Sequence, residues 1–93
     1  MKDDEKRFFL CCYKFCRRSP AFDIYKPTPR DVIHILEEAG YIHHKRAWYL
    51  LSKWTRLGFY EYGVNLELGW FEPDKLPERY KVLLEKEKKD DQN

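Results

Sequence analysis

Apolar positions recur with helical spacing near the start of the chain. In residues 3–18, Phe8, Cys12 and Phe15 fall at i, i+4 and i+7, and Phe9 and Cys16 flank the same stripe. Asp3, Asp4 and Glu5 lie in the first turn and Arg17 and Arg18 in the last, as a helix dipole favours, and Pro20 closes the segment. Residues 21–26 alternate, which predicts a short strand between Pro20 and Pro27. Thr28-Pro29-Arg30-Asp31 is a helix start, with a capping threonine, proline at the first helical position and a carboxylate three residues after the cap. Val32, Ile35, Leu36 and Ala39 form the apolar face of this helix, and Gly40 stops it. After a turn at 41–42, Ala47, Leu50, Leu51, Trp54 and Leu57 mark a further helix that ends at Gly58, with His43 a poor cap at its start. Residues 59–62 and 66–71 are β-prone and predict a hairpin around Gly63-Val64-Asn65, with Leu66, Leu68 and Trp70 facing the helices. A last helix begins near Pro77 and docks through Tyr80, Leu83 and Leu84. The predicted class is therefore α+β, mainly helical: one domain over 1–85 and a charged, disordered tail over 86–93.

Composition adds little to that outline. Aromatic residues make up 17% of the 93 positions, too many for a disordered chain. No apolar run approaches the roughly 20 residues of a membrane span. The stretch 8–16 imitates a signal-peptide core, but Lys14 interrupts it and acids precede it, so the expected location is cytoplasmic. Cys11, Cys12 and Cys16 are odd in number and crowded together, which argues for reduced thiols packed in a core. Cys12 and Cys16 with His43 or His44 would make only a loose match to zinc spacing, so no metal or cofactor is expected. His34 reads as an ordinary helix-surface or partly buried histidine. No phosphate loop, nucleophile elbow or histidine metal motif is present, and an enzyme is not expected.

Charge changes the picture. The net charge is only +2, yet residues 41–57 hold four basic and no acidic side chains, while 58–72 hold three acidic and no basic ones. Arg46, Tyr49, Lys53 and Arg56, spaced i, i+3, i+7 and i+10, line one face of the helix over 44–56, with Lys45 and Ser52 beside them and His44 at its start. Arginine, lysine and serine suit phosphates and base edges.

The order helix, strand, helix, turn, helix, hairpin, helix, carried by TPRDVIHILEEAGYIHHKRAWYLLSKWTRLGFYEYG, resembles a winged helix-turn-helix domain over roughly residues 5–72. The resemblance implies that residues 44–56 form a recognition helix for the DNA major groove and that 61–67 form the wing. It implies a small DNA-binding transcriptional regulator contacting duplex DNA through His44, Lys45, Arg46, Tyr49, Ser52, Lys53 and Arg56, and the small, compact chain suggests a bacterial or phage origin. Tight binding would require a homodimer through helix 1 or the 77–85 helix. The wing departs from the pattern, because its charges, Glu61 and Glu67, repel phosphate. The alternative is a winged-helix adaptor or inhibitor that meets a protein partner through Glu61, Glu67 and an exposed Trp48.

Overall fold

Thr28 organises the best-defined helix start. In the computed structural model of the chain, which describes residues 1–21 and 24–91, its Oγ1 accepts from the Asp31 N–H at 3.3 Å. Its own N–H donates to Asp31 Oδ2 at 2.8 Å, a reciprocal capping box. The helix it opens, α2, spans Pro29–Glu38, after α1 over Asp3–Phe15. Gly40, at φ +80°, ends α2 with the two crossed bonds of a Schellman turn, from Tyr41 N–H to the Leu36 carbonyl and from Gly40 N–H to that of Glu37. Helix α3 spans His44–Leu57 and stops at Gly58, at φ +93°. Strands β1, Tyr60–Glu61, and β2, Trp70–Phe71, pair antiparallel with Tyr60 opposite Phe71, and α4 spans Glu78–Asp91. Among the described residues this is a mainly helical α+β arrangement of four helices and a two-stranded sheet. Among the described residues, no helix is long and apolar enough to cross a membrane.

One layer of rings holds the helices to the sheet. Phe9 is fully buried among Tyr13, Trp54, Phe59, Phe71 and Tyr80, with centroids 5.0–6.2 Å away and several at the edge-to-face angle that aromatic quadrupoles favour. Phe8 stacks on Trp54 at 5.3 Å. Cys12 and Cys16 are buried beside them and Cys11 is half-buried, all three as free thiols. Burial pushes the Cys12 thiol well above its ordinary pKa, so it packs as a small apolar side chain.

Several expected positions are corrected. Phe15, Ile35 and Leu57 are exposed, and Tyr13 and Ile33 take core places instead. On α1 the buried line runs through Glu5, Phe8, Phe9, Cys12 and Tyr13, a slight rotation from the expected stripe. Ile24 and Tyr25 form an exposed turn rather than a strand, and Phe22 and Asp23 lie outside the described residues. A backbone bond from Phe71 N–H to the Arg17 carbonyl, at 3.2 Å, instead brings the chain after α1 alongside β2.

The expected hairpin shrinks to two short strands, because residues Leu66–Leu68 turn into a 3-10 helix. Phe71, not Trp70, is the inward side chain of β2; Trp70 is half-buried under the Arg17 guanidinium. The segment expected to fray from residue 86 continues α4 as far as Asp91, and the last two residues lie outside those described.

Candidate nucleic-acid interface

A helix turns by about 100° per residue, which divides α3 into a buried side, an open side and two flanks. Ala47, Leu50, Leu51 and Trp54 are buried. Opposite them, Lys45, Tyr49, Ser52 and Arg56 fall within about 60° of one another. Lys45, Tyr49 and Arg56 are exposed and Ser52 is half-buried. Among the described residues, neither Lys45 nor Arg56 enters an ion pair.

Arg46 and Lys53 lie on the flank that faces α1, and their charges are engaged there. Arg46 donates to both oxygens of Asp4, at 2.8 and 3.3 Å. This contact holds the Asp4 carboxyl below its ordinary range and raises the guanidinium pKa. Lys53 donates to Glu5 Oε1 at 2.9 Å. Lys53 is therefore not the free solvent cation that helical spacing predicts. A shallow groove between the two helices is lined by Met1, Lys2, Glu5, Arg46, Tyr49 and Lys53.

Glu5 is the feature that sequence reading missed. Its side chain is 3% exposed and accepts three hydrogen bonds, from Lys53, from Trp54 Nε1 at 3.1 Å and from Tyr80 Oη at 2.7 Å. Burial alone drives its pKa upward. The bonds from Tyr80, Lys53 and Trp54 outweigh that and leave the carboxyl below its ordinary value. The Tyr80 phenol, desolvated and bonded to Glu5, is pushed up to about 12. A signal was present: Glu5, Phe8, Phe9 and Cys12 stand at i, i+3, i+4 and i+7, which puts an acid on the apolar stripe.

On the opposite flank, Trp48 is half-exposed and its indole N–H donates to Glu67. Arg30 of α2 donates to the other Glu67 oxygen at 2.9 Å. Glu67 thus ties the 3-10 turn to α2 and α3, with its side chain only 14% exposed. Its charge is directed inward. Glu61 is more open and lies 3.6 Å from Lys75.

His44 opens α3, and the strong cap that the local sequence lacks comes from the preceding helix. Glu37 Oε2 accepts the His44 backbone N–H at 2.8 Å and lies 2.9 Å from the ring Nδ1. The backbone bond, followed by the ring contact, lowers the Glu37 pKa. His43 adds a local cap, its Nδ1 accepting from the Lys45 N–H at 3.2 Å. His34 pairs with Glu38 at 3.4 Å on the exposed side of α2.

No protein-family model, curated protein or solved structure matches the chain.

Proposed function

We propose that the chain is a winged helix-turn-helix protein that binds duplex DNA through the open side of α3, and that it acts as a small transcriptional regulator. The observation that carries this reading is the stripe Lys45, Tyr49, Ser52 and Arg56. Lys45, Tyr49 and Arg56 are exposed, the stripe contains no acid, and its two cations enter no ion pair among the described residues. Tyr49 offers a ring and a hydroxyl to sugar and base edges, and Ser52 a short donor and acceptor. Arg46 and Lys53 widen the positive edge, but Asp4 and Glu5 offset their charge.

Binding is therefore electrostatically modest. Each neutralised phosphate contributes about −0.9 to the slope of log affinity against log salt, so Lys45 and Arg56 together give about −2. A monomer then binds random duplex in the range of about 10⁻⁴ to 10⁻⁶ M. Tighter binding needs a second copy on a second half-site. The test is fluorescence anisotropy with random duplex over a range of salt. Lys45→Glu with Arg56→Glu abolishes binding and leaves the circular dichroism spectrum unchanged, whereas equal binding by this double variant contradicts the assignment.

A second reading, a protein-interaction module, draws on the loop between the strands. Val64 is fully exposed at its tip and Tyr62 is 41% exposed. Trp48 is also exposed and Glu61 is partly open, but Glu67 is not available, since Arg30 and Trp48 already hold it. Loss of a partner on Val64→Asp, with DNA binding absent, is the pattern that favours it.

A further inference from the structure

The turn between α2 and α3 gathers three metal-ligating side chains that lie outside the Lys45, Tyr49, Ser52 and Arg56 stripe. We propose that Glu37, His43 and His44 bind a transition-metal dication of the zinc class. One ligand atom from each residue lies within 4.8 Å of the other two, and all three side chains are solvent-exposed. The two imidazoles are stacked with centroids 4.5 Å apart and planes at 29°, so both rings face the same way off the start of α3.

The backbone beneath them is fixed on both sides. Gly40 closes α2 in its left-handed conformation, Ile42 is buried in the core, and His43 is the cap residue of α3. Glu37 is held against this turn by the His44 N–H. The ligands therefore come from the last turn of one helix and the start of the next, joined by a short pinned turn.

Donor chemistry selects the ion. Two imidazoles and one carboxylate suit zinc and its borderline neighbours, while calcium and magnesium require oxygen donors. At metal–ligand distances of about 2.0–2.2 Å, tetrahedral donors stand roughly 3.3 Å apart. Exposed side chains close the remaining gap by rotation about their own torsions, and water completes the fourth position. The positive end of α3 and the neighbouring Lys45 oppose the ion, and the Glu37 charge offsets them. The affinity therefore falls below that of a buried structural zinc site. The ion takes no part in holding the core.

The test uses the full chain without nucleic acid, so its outcome is separate from that of the DNA reading. Zinc chloride is titrated by calorimetry, with the histidine ring resonances followed by NMR. The expected result is saturable one-to-one binding that moves the His43 and His44 rings and spares His34. His43→Asn keeps a good helix cap while removing a ligand, and Glu37→Gln keeps an acceptor for the His44 N–H. Each weakens binding by about tenfold or more. Cobalt(II) bound in place of zinc gives a visible spectrum without sulfur charge-transfer bands. The proposal is overturned by absence of saturable binding at millimolar zinc, by unchanged affinity in both variants, or by sulfur bands that place the metal on Cys11.

Discussion

Glu5 joins three helices through one carboxylate. It belongs to α1 and accepts from Lys53 and Trp54 of α3 and Tyr80 of α4. A buried acid is tolerated only with such partners, because each unmet hydrogen bond in a dry site costs about 1–3 kcal/mol. Glu5→Gln turns an all-acceptor group into one that also carries two donors, facing three donors. The expected loss is about 1–3 kcal/mol in urea unfolding. The acid response has a defined sign. The folded pKa of Glu5 lies below its ordinary value of 4.5, so its contribution is complete above that value and disappears as pH falls through the lower folded one. Asp4, held down by Arg46, acts in the same direction. Urea midpoints should be level near neutrality and fall below about pH 4.5, with a shallower fall in Glu5→Gln. An equal slope in the two proteins would show that Glu5 does not carry the effect. The composition of this cluster was legible at the α1 end, where Glu5 shares the spacing of Phe8, Phe9 and Cys12. Its donors were not, because Lys53 has an ordinary outward-facing place when α3 is drawn as an isolated wheel.

At the scale of elements, local chemistry was read well and long-range chemistry was not. The Thr28 box and the Gly40 and Gly58 stops involve neighbours in sequence, and the structure has them as spacing predicts. Thr28→Ala removes one half of the box and should cost about 1 kcal/mol of stability, with increased amide exchange in the first turn of α2. The start of α3 is different, since its carboxylate cap arrives from Glu37 across the turn and no local motif announces it. The expected hairpin is the largest departure. Alternation over Leu66, Leu68 and Trp70 suggests a regular strand, but the Tyr60 phenol intervenes. It donates to the Leu66 carbonyl at 2.5 Å and accepts the Gly69 N–H at 2.9 Å, while Arg17 donates to the carbonyls of Leu68 and Gly69. These bonds curl the segment into a 3-10 turn over the ring. Gly69 is required by this packing, because a Cβ there would stand 2.2 Å from the Glu61 carbonyl oxygen and 2.6 Å from the Tyr60 ring. Gly69→Ala must move backbone. It should cost at least about 1–3 kcal/mol, measured by chemical denaturation, while the same change at the open Gly63 leaves the midpoint nearly unchanged.

For the whole molecule, the decisive feature is how its charges are spent. The sequence presents an all-positive segment over 41–57 and an acidic one over 58–72. Folding moves both toward neutrality: Arg46 and Lys53 turn to acids of α1, and Glu67 turns to Arg30 and Trp48. The open basic surface of α3 is narrower than the sequence suggests, namely the Lys45, Tyr49, Ser52 and Arg56 stripe. Such pairing was hidden because the ion-pair partners lie 37 to 48 residues apart in the chain and only the assembled elements bring them together. Lys53→Glu is accordingly a poor probe of binding, since it sets a second carboxylate against buried Glu5 and should lower stability by itself. The most direct measurement is an amide NMR titration of the chain with random duplex DNA at low salt. Shifts should concentrate at Lys45, Tyr49, Ser52 and Arg56, weaken with salt at a slope of about −2 and stay no steeper than about −4. Absence of shifts at those residues, or shifts confined to Tyr62 and Val64, would contradict DNA binding by α3.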